Sequence, residues 1–251
     1  MSADEQVTQN IALVTGGSAG IGESICQHLL AEGYTVLNLS RRLSRRPAAK
    51  SHPQLIDVPV DLADLDATKA VLNELVQQYA VTTLIHNAGV IRADLIEDVD
   101  VDDLVYMDRL HVHAAVLLMQ AVLPAMKKAC FGRVVLIGSR GMLGLKTRTG
   151  YAASKAAQIG LIRTWALELG EHGITVNAVA PGPIVTDMFT EVIPEDSGRA
   201  AQIAASIPVK RLGRADDVAR AVMFLAAADN SFVTGQTLFV CGGASIGALS
   251  L

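Results

Sequence analysis

An apolar run, Ile11–Thr15, is closed by Gly16-Gly17-Ser18-Ala19-Gly20-Ile21-Gly22 and leads into a helical pattern over Gly20–Ala31. Glycines at that spacing between a strand and a helix constrain the fold strongly. They allow a tight turn and let backbone approach backbone. They also leave main-chain N–H groups free at a helix N-terminus, where a pyrophosphate binds favourably. A glycine turn alone is common; the strand before it and the helix after it are the context that gives this one meaning.

The rest of the chain repeats that alternation. Strands are predicted at Thr35–Leu39, Gln54–Val60, Thr83–His86, Arg133–Ile137, Ile174–Val179 and Thr237–Val240. Helices are predicted at Leu65–Tyr79, Val101–Ala129 (with a break), Tyr151–Leu169 and Ala215–Ala227. Nearly continuous apolar strands alternating with helices predict an α/β fold with a parallel sheet covered on both faces. No repeat or linker divides the 251 residues, so one domain is expected, with irregular stretches at Arg41–Pro53 and Ile184–Pro208.

Composition excludes several classes. With 21 Lys+Arg against 25 Asp+Glu, net charge is −4, and no block of like charge stands out beyond Arg41-Arg42 and Arg45-Arg46, so no nucleic-acid or membrane surface is expected. The polar Met1–Gln9 segment does not read as a signal peptide. The apolar tract Ala114–Met126 is too short to span a bilayer. Three cysteines, Cys26, Cys130 and Cys241, have no metal spacing and read as reduced thiols of a cytoplasmic protein.

Tyr151 and Lys155 stand one helical turn apart, which places phenol and ammonium on one face. An ammonium beside a phenol favours phenolate and makes the tyrosine a proton donor and acceptor near neutrality. The end of the second strand, Ser40-Arg41-Arg42, carries a hydroxyl and two guanidiniums where a carboxylate would favour NAD(H). That set suits a 2′-phosphate, so NADP(H) is expected. Asp61-Leu62 follows the third strand, with Asp61 read as an adenine contact, a helix N-cap or both. Asn87-Ala88-Gly89 closes the fourth strand with small residues where a flat cofactor passes. His86 reads as a packed strand residue.

Taken in order, Thr15-Gly16-(x3)-Gly20-Ile21-Gly22, Asn87-Ala88-Gly89, Ser139, Tyr151-(x3)-Lys155, Asn177 and Pro181-Gly182-Pro183 make the chain resemble the compact branch of the short-chain dehydrogenase/reductase family. The resemblance runs from about Asn10 to Gly243. It implies a Rossmann-type doubly wound parallel sheet of seven strands, usually in a homotetramer or built from homodimers. It implies that Gly16, Ser18, Gly20, Ile21 and Gly22 hold the dinucleotide, and that Pro181, Gly182, Ile184 and Thr186 meet the nicotinamide. Tyr151 would be the general acid/base. Lys155 would hold the nicotinamide ribose and lower the Tyr151 pKa. Ser139 would hydrogen-bond the substrate oxygen, and the stretch from Asp187 to Pro208 would be a substrate lid. Hydride passes between nicotinamide and a carbonyl or secondary alcohol while Tyr151 moves the proton.

Two departures qualify the resemblance. Where the family usually has an asparagine that anchors a proton-relaying water, this chain has His111, read as a tolerated replacement, a relay or an impairment. The Ser139-to-Tyr151 interval is one residue shorter than in many members, which alters the pocket loop carrying Arg140, Lys146 and Arg148. That basic loop is expected to be solvated. The chain is similar to 3-oxoacyl-acyl-carrier-protein reductases around Gly173–Gly182. However, two positions where those enzymes place carrier-docking arginines hold Cys130 and His172, with Lys127 and Lys128 nearby. A small or medium carbonyl or alcohol substrate is therefore the first reading and an acyl carrier protein partner the second. A non-catalytic dinucleotide sensor or structural subunit is the third. The apolar tail Ala244–Leu251 is expected to extend a subunit interface.

Overall fold

The computed structural model describes residues 10–44, 52–193 and 198–246. Seven parallel strands form the central sheet: β1 Ile11–Thr15, β2 Thr35–Ser40, β3 Leu55–Pro59, β4 Thr83–His86, β5 Gly132–Ile137, β6 Ile174–Pro181 and β9 Thr237–Val240. Their order is β3-β2-β1-β4-β5-β6-β9. Chain direction across the sheet therefore reverses between β1 and β4, and a crevice opens beyond the carboxyl ends of those two strands.

Alternation along the strands builds two apolar layers. Leu13, Leu37, Leu84, Leu136 and Val176 face one side and pack with α2 (Leu65–Gln78), α4 (Ala114–Ala129) and α5 (Thr149–Leu169). Ala12, Val14, Val36, Ile85 and Val135 face the other and pack with α1 (Gly20–Ala31) and α8 (Ala215–Ala226). This is the doubly wound Rossmann-type sheet with helices on both faces.

The break within Val101–Ala129 is a π-helical turn, Arg109–His113, between α3 (Val101–Asp108) and α4. The extra residue in that turn carries Leu110 and His111 inward, where both are buried. The tract Ala114–Met126 is thus part of a longer helix than it suggests alone. Among the described residues, Val101–Ala129 is long and apolar enough to cross a membrane by length and composition. In the fold, its apolar side chains pack against β4, β5, α2 and α5.

The stretch 184–208 is not irregular, as the sequence suggested. It holds β7 (Ile184–Val185), α6 (Asp187–Val192) and α7 (Arg199–Ser206); 194–197 lie outside the described residues. Thr186 starts α6 by accepting the Phe189 N–H through Oγ1 at 3.3 Å, and β7 pairs with β8 (Gly213–Arg214). Short amphipathic pieces of this length carry too weak a period to be read from sequence alone. The residues Arg45, Arg46 and 247–251 also lie outside the described part.

Candidate active site

The glycine turn is fixed from both sides. Gly16 and Gly20 have φ of +67° and +57°, which side chains rarely adopt. A Cβ at Gly22 would lie 2.2 Å from the Gly16 carbonyl oxygen. The Asn87 amide donates to the carbonyls of Thr15 and Gly16, each at 3.1 Å, and holds the turn against the end of β4. Ala19 is the N-cap of α1 and offers no side-chain cap. The first N–H groups of α1 are therefore left for an anion, and Ser18 and Ile21 stand beside them. A Cβ at Gly20 would meet the Thr186 methyl at 3.2 Å, so the turn and the Pro181–Thr186 segment come together. Gly182 passes so close to Cys241 that a Cβ would lie 2.8 Å from its Cα, and Ile184 is buried. A cradle that any side chain would fill fits a dinucleotide pyrophosphate.

Thr15 Oγ1 accepts N–H groups from Asn87 at 3.0 Å and Ala88 at 2.9 Å, and lies 3.0 Å from His86 Nδ1. With both acceptor sites used, Thr15 gives its proton to His86 Nδ1, so the neutral ring carries its proton on Nε2. His86 is fully buried, as its strand position suggested; desolvation, reinforced by the Lys155 charge, lowers its pKa to about 3.

A second network was not foreseen. Asn38 and Asp57 are register partners on β2 and β3. Asn38 Oδ1 accepts the Gly17 N–H at 2.9 Å and the Ser40 hydroxyl at 2.7 Å. Asn38 Nδ2 donates to Asp57 Oδ1 at 2.7 Å, and Asp57 also accepts from the Ser44 N–H and hydroxyl. The signal was present as a polar residue in each of two adjacent apolar strands. Ser40 is consequently buried with its hydroxyl used, while Arg41 and Arg42 are exposed at the end of β2. Replacing Asn38 with leucine strands the Gly17 N–H and removes one of the donors to Asp57, and is expected to weaken NADPH binding about tenfold. Fluorescence titration of NADPH checks this. Asp61 does not cap α2; Asp64 does, through Ala67, while Asp61 turns the preceding loop by accepting the Ala63 N–H, with Leu62 buried beside it.

Tyr151, Ser139 and Lys155 converge at the carboxyl end of β5. Gly150 lets α3 approach the start of α5, because a Cβ there would lie 2.6 Å from Met107. Ser139 Oγ accepts the Gly141 N–H at 2.9 Å, and a Cβ on Gly141 would lie 3.2 Å from Ser139 Oγ and 3.4 Å from the Tyr151 ring, so both face the same small gap. Lys155 Nζ donates to the Ile137 carbonyl at 2.7 Å and lies 6.0 Å from the Tyr151 ring centre. Desolvation lowers the Lys155 pKa to about 7.

The Tyr151 pKa differs from the expectation. Burial pushes it above its ordinary value, with Ser139 and Arg148 pulling it back; Lys155, itself desolvated, does not lower it here. Arg148 thus bears on Tyr151, and its guanidinium bonds to the Thr147 carbonyl and hydroxyl. Arg140 donates to the Ala244 carbonyl at 3.3 Å, while Lys146 is exposed. Lys127, Lys128 and Cys130 are exposed, and His172 lies 3.7 Å from Glu171. Asn177 lies outside the site, tying the 233–236 turn to β6 through Val233 and Gln236.

His111 is also fully buried behind Tyr151, and desolvation and the Lys155 charge push its pKa far down. An unfolded chain protonates both imidazoles near pH 6.5, whereas the folded chain keeps them neutral well below that. Their contribution to stability is therefore present above about 6.5 and lost as pH falls towards 3. By roughly pH 5 each imidazole costs about 2 kcal/mol. Denaturant midpoints at neutral and mildly acid pH are expected to reflect that loss, and equal stability at both would contradict it. Among the described residues no group of three metal-ligating side chains occurs.

A family model described as enoyl-(acyl carrier protein) reductase matches residues 16–245. The 3-oxoacyl-[acyl-carrier-protein] reductase FabG of Haemophilus influenzae is 35% identical over 239 residues, 93% of this chain and 97% of that protein. The (2S)-[(R)-hydroxy(phenyl)methyl]succinyl-CoA dehydrogenase subunit BbsD of Thauera aromatica is 32% identical over 247 residues, 96% of this chain and 98% of that one. Among solved structures, a Beutenbergia cavernae protein with bound NADP superposes with a TM-score of 0.89 at 34% identity, covering 96% of this chain and 98% of its own. The ordered motifs, the sheet topology and these matches agree: the chain belongs to the short-chain dehydrogenase/reductase family.

Proposed function

We propose that Tyr151 is the general acid/base of an NADP(H)-dependent oxidoreductase acting on a carbonyl or secondary alcohol. The observation that carries the reading is Tyr151 set beside Ser139 around Gly141, one helical turn from Lys155, next to a glycine cradle. Bound nicotinamide supplies or accepts the hydride. In reduction, Ser139 and Tyr151 hold the substrate oxygen where negative charge develops, and Tyr151 gives it a proton. In oxidation Tyr151 takes that proton back. Lys155 would hold the nicotinamide ribose and resupply the proton at Tyr151. Gly16 to Gly22 and Asn87 to Gly89 position the dinucleotide, with Pro181 to Thr186 along its nicotinamide end. Among the described residues, the exposed Arg41 and Arg42 at the end of β2 suit a 2′-phosphate, which supports NADP(H) over NAD(H).

The first reading is a reductase of small or medium carbonyl compounds, in one domain whose α6–α7 segment lies over the substrate. Similarity to 3-oxoacyl-[acyl-carrier-protein] reductases supports a second reading, in which the substrate is an acyl thioester on an acidic carrier. NADPH oxidation across ketones, aldehydes and acetoacetyl thioesters separates them. Turnover of simple ketones supports the first, turnover confined to thioesters the second. Tight NADPH binding with neither, and no alcohol oxidation, supports a sensor.

A homodimer or homotetramer is proposed. The outward side of α5 exposes Ala156, Ala157, Gly160 and Leu167, a face suited to a second copy. A monomer in sedimentation would contradict this. The described cysteines are all free, which suits a cytoplasmic protein.

A further inference from the structure

The Val90 N–H donates to His111 Nε2 at 3.2 Å, which engages that nitrogen's lone pair. The ring proton therefore sits on Nδ1, 2.8 Å from Ser154 Oγ. Ser154 in turn gives its own proton to the Tyr151 carbonyl at 3.1 Å. The chain of donors is complete and runs one way: Val90 to His111 to Ser154 to the backbone of Tyr151. One turn further along α5, the Gln158 amide donates to the His111 carbonyl at 2.9 Å. The His111 ring also meets the Tyr151 ring edge-on, with centres 5.8 Å apart at 85°.

These contacts join the two walls of the site. Val90 continues the Asn87–Gly89 segment, and Ser154 and Gln158 lie on the helix that carries Tyr151 and Lys155. The joint is tight, since a Cβ on Gly89 would lie 3.1 Å from His111 Nε2 and 3.6 Å from Lys155 Nζ. A relay through the ring would have to release the Val90 bond and reverse the Ser154 bond in each cycle. Lys155 and His86 both oppose a charged ring, and among the described residues no carboxylate bears on it.

We infer that His111 is a positioning residue, not a proton relay: through Ser154 it clamps the Tyr151 backbone and the Val90 segment at a set separation. The inference rests on Tyr151 being the general acid/base. A clamp acts through orientation, so it affects kcat more than cofactor binding.

The test is a double-mutant cycle on the full-length protein, with kcat, NADPH affinity and thermal unfolding read for each variant. His111→Leu and Ser154→Ala are each expected to lower kcat about tenfold with NADPH affinity within about twofold, and the double variant to lose no more than the worse single one. His111→Gln, which keeps an acceptor and a donor, is expected to recover most of the loss. Additive losses, a Gln variant no better than Leu, or restoration of His111→Ala by free imidazole would overturn the clamp.

If the variants do not fold, nitrogen-labelled histidine NMR of the wild-type protein decides. A neutral Nδ1–H ring at every pH where the enzyme turns over is expected; a ring that titrates with the activity profile would overturn it. Full activity in Tyr151→Phe would instead remove the reading beneath the inference.

Discussion

Replacing Tyr151 with phenylalanine is expected to slow carbonyl reduction about a thousandfold while leaving NADPH affinity within about twofold. The substitution removes one oxygen and keeps the ring that packs against His111. On the proposed mechanism it deletes the group that gives the proton and one of two that hold the substrate oxygen. Ser139 remains, so residual turnover reflects orientation and a single hydrogen bond. The separation of kcat from NADPH affinity distinguishes this from general damage, because an interaction made only in the transition state appears in kcat alone. Stopped-flow reduction with saturating NADPH measures it. A variant within threefold of wild type would displace Tyr151 from the chemistry.

The second large effect concerns the cofactor. Arg41→Ala together with Arg42→Ala is expected to reduce kcat/KM for NADPH about a hundredfold or more while changing NADH use by less than about threefold. Both side chains are exposed at the end of β2, and Ser40 is already engaged by Asn38. Charge-assisted bonds to a phosphate give far more than neutral ones, and Arg offers them in a fixed fork. Equal losses with both cofactors would mean that the arginines support the loop and do not read the phosphate.

Much of this site is local, and local features are legible in sequence. The Gly16–Gly22 turn needs only its own backbone and the strand and helix that flank it. Tyr151 and Lys155 share a helix face by period alone. The strand order is less local, yet alternation of apolar strands and helices leaves few other folds.

What escaped the reading depends on register and on burial. Asn38 meets Asp57 because β2 and β3 pair residue for residue, and no single segment carries that fact. Asp61 and Asp64 are both plausible caps within three residues, and only backbone geometry selects Asp64. The effect of Lys155 on Tyr151 was expected to dominate. In the folded chain desolvation acts on both groups and reverses the expected direction at the tyrosine. His111 was legible as a departure but not as a clamp, because its partners Val90, Ser154 and Gln158 come from two other segments.

Reduction with NADPH deuterated at the transferring carbon tests the central claim most directly. Product isolated from a carbonyl substrate turned over by the wild-type protein is expected to carry the label at its carbinol carbon, and the Tyr151→Phe variant to yield almost none in the same time. NADPH that binds tightly yet keeps its label with every carbonyl offered would contradict the account.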